Sequence, residues 1–205
     1  MESERSSRTK RILTILIVVT VLSVLIGSAR HLFGMFASSR IKEEEGSLEA
    51  FESIELDMQL GDVRILTGDD FSSSGKFPER VMPVFKVSGY QLKITQKSGR
   101  KVNLNIGENT CLLTITIPKG TSLRSVEADM DLGTFSADDL TCEKADFDLD
   151  LGSLTLSGCT VGSLEADVDL GSIELKNCSL DKAKLNTDLG SIKIDGQEYG
   201  KSYSK

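Results

Sequence analysis

Carboxylates recur at every second position in three places along the chain: "EADMDLG" from Glu127, "DFDLDLG" from Asp146 and "EADVDLG" from Glu165. Successive side chains of a strand point to opposite faces, so each such run would place three acids on one face. Superposing the copies gives columns. Glu127, Asp146 and Glu165 form the first; Asp129, Asp148 and Asp167 the second; Asp131, Asp150, Asp169 and Asp188 the third. An earlier copy, "ESIELDMQLGDVRIL", carries Glu55 and Asp57 at the matching sites. Hard divalent cations take oxygen ligands, so Asp129, Asp131, Asp148, Asp150, Asp167, Asp169 and Asp188 form a candidate ladder for Ca²⁺. The bland alternative is a solvated face that keeps the sheet soluble, with the Asp before Leu-Gly serving the turn. Rungs of a parallel sheet stack roughly 4.8 Å apart. At that spacing two carboxylates in water repel by roughly 0.9 kcal/mol, so three like-charged columns ask for a compensating partner.

A repeat is what would align these acids. Gly133, Gly152, Gly171 and Gly190, each in Leu-Gly-[Ser/Thr], recur at one constant interval. Four hits in phase indicate stacked units. Ala166 and Val168 alternate with the acids, and Ile173 and Leu175 resume the apolar series after Gly-Ser. On that alternation Leu132, Leu151, Leu170 and Leu189 are expected to form a continuous buried column. The fold class expected is all-β: a parallel β-solenoid with rungs of about 19 residues. Glycine at the corner permits a tight turn or close approach of rungs. The interval from Gly61 to Gly133 is not a multiple of the period, so irregular rungs or an insertion must intervene. Ser72 to Pro83, rich in Gly, Ser and Pro, is the expected insertion, while "YQLKIT", "KVNLNI" and "CLLTITIP" alternate as strands.

Ahead of the repeat, Ile12 to Ala29 is an uncharged apolar run. At 1.5 Å per residue it would span roughly 27 Å as a helix, the thickness of a bilayer core. Arg5, Arg8, Lys10 and Arg11 precede it and place the N-terminus in the cytoplasm by the positive-inside rule. A cleaved secretory leader is the alternative, because Gly27 and Ala29 offer small residues at a cleavage position. The expected organisation is a cytoplasmic tail (1–11), a transmembrane anchor (12–29), a juxtamembrane linker (30–49), the solenoid (50–196) and a C-terminal tail (197–205). Residues 1–42 hold seven Lys or Arg against two Glu, leaving 17 bases and 29 acids after them. So acidic a remainder excludes nucleic acid, whose binders need a basic face.

Within this frame, "LLTITIPKGTSLRSVEADMDLGTF" (Leu112 to Phe135) and the repeats after it resemble a bacterial adhesin-like repeat family over roughly residues 50–196. The resemblance implies a β-solenoid ectodomain on a membrane-anchored cell-envelope protein, sometimes encoded alongside envelope-stress systems, with no catalytic residues to transfer. Relatives often show Ser-Gly-Asp at the corner; this chain has Asp-Leu-Gly-Ser.

The remaining chemistry-bearing residues add little catalysis. "DFDLDLG" opens like a helix-loop-helix calcium loop, but its Gly falls one place late and Ser157 stands where a bidentate Glu is needed. Cys159 and Cys178 are one period apart and are expected as buried free thiols, with a disulfide as the alternative. Cys111 and Cys142 form no CxxC with them, and the single His31 sits beside the apolar run, so neither a zinc site nor a nucleophile–His pair can be assembled. The function expected is a non-enzymatic, extracytoplasmic interaction module on a single-pass anchor. Its partners would be the membrane and cationic peptides or cation-bridged wall polymers. A polysaccharide-active enzyme using paired carboxylates and a structural spacer whose end caps self-associate stay open as alternatives.

Overall fold

The computed structural model describes residues 40–96 and 111–205. The tail 1–11, the apolar run 12–29, His31 and the "KVNLNI" segment lie outside the described residues. No helix among those described is long and apolar enough to cross a membrane.

In chain order the strands are β1 (Ile41–Ser47), β2 (Ser53–Met58), β3 (Asp62–Gly68), β4 (Ser72–Pro78), β5 (Pro83–Ser88), β6 (Gln91–Gln96) and β7 (Leu112–Pro118). Four long strands follow: β8 (Ser122–Asp138), β9 (Thr141–Ser157), β10 (Thr160–Lys176) and β11 (Ser179–Ile194). Two short ones, β12 (Gln197–Glu198) and β13 (Ser202–Ser204), close the chain. Strands β8 to β11 pair parallel in a register that advances by one repeat at each step, so that Gly133, Gly152, Gly171 and Gly190 lie one over the next. The all-β solenoid is thus the observed fold.

Each long strand bends at its Leu-Gly-[Ser/Thr], and the bend decides which residues are buried. In β10, Ala166 and Val168 are sealed inside before the corner, as are Ile173 and Leu175 after it. Turning the corner takes the stretch Asp169 to Ser172, across which alternation fails, and both Asp169 and Leu170 point outward. The expected buried leucine column is therefore corrected. Leu132, Leu151, Leu170 and Leu189 do stack in register, but on the outside of the corner.

The reason for glycine here is the approach of the neighbouring backbone. A Cβ on Gly152 would lie 1.6 Å from the carbonyl oxygen of Gly133, and one on Gly171 would lie 1.4 Å from that of Gly152. The corner between successive long strands instead takes a left-handed residue, Asp139, Gly158 and Asn177 in turn, the types that tolerate positive φ.

The long interval between Gly61 and Gly133 amounts to one spatial step. Strand β2 pairs with the first half of β8 and β3 with its second half, both parallel, and the Cβ position of Gly133 lies 2.0 Å from the Gly61 carbonyl oxygen. On their other side β2 and β3 pair parallel with β6 and β7. The chain thus lays down its second rung first, makes an excursion, builds the first rung, and crosses back to continue the stack.

The excursion covers the edges of that first rung. Strand β4, with β1 outside it, pairs antiparallel with β7, and β5 pairs antiparallel with β6 through a two-residue turn at Gly89–Tyr90, both at positive φ as a type I′ hairpin requires. The insertion expected at Ser72 to Pro83 is this antiparallel cover, strand β4 and a 3₁₀ turn at Glu79–Val81. Part of the stretch read as a linker is also strand. β1 is exposed at all seven positions, so it has no apolar alternation to reveal it, and is held by its backbone ladder to β4 and a 2.5 Å ion pair between Lys76 and Glu43. At the far end β12 and β13, within the stretch read as a tail, pair antiparallel with β11 and shield its edge.

Inside the stack, columns such as Leu123, Cys142 and Val161 are sealed from solvent, and the rings of Phe135 and Phe147 pack at 4.6 Å.

Candidate functional site

The parallel register turns the alternating acids into the columns expected of them, and the structure assigns each column different neighbours. Glu55, Glu127, Asp146 and Glu165 follow one another from β2 through β8 and β9 to β10. Lysines close that column at both ends: Lys93 of β6 contacts Glu55 at 2.5 Å, and Lys184 of β11 contacts Glu165. A third, Lys144, reaches Asp146 within its own strand at 2.9 Å. Hydrogen bonds to those carboxylates raise the pKa of all three lysines, the leading partners being Glu55 for Lys93, Asp146 for Lys144 and Glu165 for Lys184. Three of the four carboxylates of the first column thus carry a lysine, Glu127 being the exception among the described residues.

The second column differs. Asp57, Asp129, Asp148 and Asp167 stand in consecutive rungs, bounded by Thr95 and Asn186, and no Lys or Arg among the described residues lies within ion-pair distance of any of them. Partial burial, followed by the charges of Asp57, Asp131 and Asp150, raises the pKa of Asp129. Partial burial again leads at Asp148, reinforced by Asp129, Asp167, Asp150 and Asp169. The third column, Asp131, Asp150, Asp169 and Asp188, lies at the outer corner and is exposed throughout. It adds negative potential to the second, with Lys201, whose Nζ donates to the Asp188 carbonyl at 2.7 Å, at its end.

Between the first two columns lies a shallow depression of about 310 Å³, bordered by Glu55, Asp57, Glu127, Asp129, Asp146 and Asp148. Leu56 and Ala128 complete its lining. No group of three or more His, Cys, Asp or Glu among the described residues is arranged to hold one metal ion. The seven aspartates of the sequence-derived ladder are therefore spread over the second and third columns rather than gathered round a point. Such a face attracts positive charge over its whole length, as a cleft of one sign does.

Sequence reasoning missed the lysines. Lys184 falls one repeat after Glu165, so the periodicity itself could have flagged a sign change in that column. Lys93 carried no such signal, because β6 reaches its place only through the excursion. Asp62 is another omission: it stands at the early copy's corner and accepts hydrogen bonds from the Thr134 amide at 2.9 Å and hydroxyl at 2.7 Å, tying β3 to the corner of β8.

All four cysteines are free thiols. Burial pushes Cys111 and Cys142 up to about 11. Cys159 and Cys178 are side-chain neighbours one rung apart. Each donates to backbone carbonyls, Cys159 to Ala137 and Ser157 and Cys178 to Leu156 and Lys176, and their mutual interaction lowers the half-buried Cys178 and raises the buried Cys159.

A family model described as Toastrack DUF4097 matches residues 51–202. Among solved structures, a provisionally assigned cell adhesion protein from Clostridium sporogenes is similar at 12% identity and TM-score 0.51, covering 76% of this chain and 99% of its own. A provisionally assigned adhesin from Bacteroides fragilis is similar at 15% identity and TM-score 0.36, covering 77% and 98%. One from Parabacteroides distasonis is similar at 16% identity and TM-score 0.39, covering 77% and 71%. No curated protein matches.

Proposed function

The chain belongs to the Toastrack DUF4097 family, and we propose that it is a non-enzymatic interaction module, anchored by residues 12–29 and displayed outside a bacterial cell, whose acidic sheet face holds cationic ligands by charge. The observation that carries this reading is the second column: four aspartates in consecutive rungs, two of them with raised pKa and none with a basic partner among the described residues. A sheet that merely needed solubility would be served by mixed charges, as the first column is. Like charges stacked at rung spacing cost stability, and a bound cation restores it. The name of the similar clostridial structure, a cell adhesion protein, agrees with a binding role.

Candidate ligands are Ca²⁺ shared between rungs, cationic peptides, and wall polymers bridged by such ions. Binding to a distributed face of this kind weakens steeply with salt. The test uses the full-length chain in nanodiscs of neutral lipid, titrated with polylysine and separately with Ca²⁺ at low and moderate ionic strength. Polylysine should bind at low salt and dissociate as salt rises, and an Asp129→Asn/Asp148→Asn/Asp167→Asn variant should lose about tenfold or more in affinity. Wild-type binding that ignores both salt and the triple substitution would sink the proposal.

A further inference from the structure

The outward leucines present a second surface on the same molecule. Leu132, Leu151, Leu170 and Leu189 are 38%, 45%, 43% and 64% exposed, and each is in register with the next. They make a ridge three rung steps long, roughly 14 Å. The core does not require them, since in β10 Val168 and Ile173 already seal it on either side of the corner with no exposed surface. Single exposed leucines are ordinary; four in an unbroken line form a contiguous apolar patch of the kind that marks a contact surface.

What flanks the ridge restricts what can sit on it. On one side each leucine is preceded by Asp131, Asp150, Asp169 or Asp188, all exposed. On the other side come the corner glycines and then Thr134, Ser153, Ser172 and Ser191. An anionic lipid surface would be repelled by the aspartates. The same ridge of a second copy, laid against this one, would bring mainly more carboxylates, glycines and hydroxyls, with Lys201 only at the β11 end. The complementary partner has an apolar edge with cations beside it.

Spacing selects its conformation. The ridge runs across the strands, repeating at roughly 4.8 Å. An extended segment laid along it would present same-face side chains about every 6.6 Å and drift out of step by the second contact. An α-helix presents one about every 5.4 Å, so it accumulates only about 2 Å of mismatch over three steps. We infer that the Leu132–Leu151–Leu170–Leu189 ridge and the adjoining aspartate column dock a cationic amphipathic helix of about three turns, with its apolar stripe on the leucines and its Lys or Arg residues over the aspartates. This deepens the acidic-face reading above and rests on it.

The test again uses the full-length chain in neutral-lipid nanodiscs, with empty nanodiscs as blank. Three probes of about 12 residues are compared: a Leu/Lys peptide with leucines on one helical face, a scrambled peptide of the same composition, and polylysine. The facially arranged peptide should bind about tenfold or more tightly than its scramble. Leu151→Ser/Leu170→Ser, which removes side chains a little under half exposed and leaves the sealed core positions intact, should still melt cooperatively, at a lower temperature, and should abolish that preference while polylysine binding persists. Equal binding of the facial and scrambled peptides, or an undiminished preference in the double variant, overturns the ridge while leaving the acidic face standing. Self-association of the wild type that the double variant abolishes would assign the ridge to a second copy and overturn it too. Failure of polylysine as well takes down both readings together.

Discussion

Thr187 continues a core column of Met130, Leu149 and Val168 into β11, where it is 3% exposed. Its hydroxyl has no hydrogen-bond partner. A buried hydroxyl that gives up water for nothing costs about 1–3 kcal/mol, whereas its isosteric hydrocarbon costs nothing of the kind. Thr187→Val should therefore stabilise the fold by about 1 kcal/mol, read as a higher urea midpoint at unchanged slope. A lower midpoint would mean that the hydroxyl is satisfied after all. The sequence could show that 187 occupies an inward position of the repeat, because 168 does. Whether the hydroxyl found a partner depended on which groups the strand-covering residues 197–205 brought to it, and they brought backbone to backbone: the Thr187 amide donates to the Lys201 carbonyl at 2.8 Å.

The stacked long strands tolerate no side chain at the glycine of each bend. With the Gly133 oxygen 1.6 Å from where a Cβ would stand, Gly152→Ala must push two rungs apart or abandon the corner. The expected loss is more than about 3 kcal/mol, enough to abolish cooperative melting in a marginal protein. Gly46→Ala on β1, where nothing lies within 4 Å of the added carbon, should be nearly neutral. Comparable melting of the two variants would contradict the close packing of the bends. This element-scale feature was legible beforehand, since a glycine in every copy at one phase implies a shared steric demand. The covering strands were not. β1 and β4 are recruited by the unpaired backbone edge of β7, and an edge recruits through N–H and C=O groups that nearly every residue carries.

Across the whole molecule, charge is arranged by distance in space rather than in sequence. Asp129 and Asp148 have folded-state pKa values above those of the unfolded chain. Their contribution to stability is therefore fully present below the unfolded carboxylate pKa, about 3.9, and is lost as pH rises through the raised folded values. At neutral pH both destabilise. The lysines shifted upward act in a different window: their contribution persists into the basic range and is lost as pH rises through their raised values. Asp148→Asn should thus raise stability at pH 7 and low salt, by no more than about 0.5 kcal/mol once solvent screening of so open a group is allowed for. The gain should shrink with added salt and vanish on acidification to about pH 3. Thermal melts across that range check it; a variant no more stable than wild type at pH 7 would show that the column carries no strain.

The amino-acid sequence by itself determined the length of the rung, the glycine at each bend, the acids on one face and the apolar positions that flank each bend, because all of these follow from a local repeat and the two-fold periodicity of a strand. Tertiary structure alone decided three things: that Leu132, Leu151, Leu170 and Leu189 face outward, that Lys93 closes the near end of one acidic column while its neighbour goes unanswered, and that β6 and β7 lie beyond β2 and β3. The physical reason is the same for each. A bend interrupts alternation by an amount set by how the chain must curve round its core, and the identity of the next rung is chosen by backbone pairing between segments far apart in the chain.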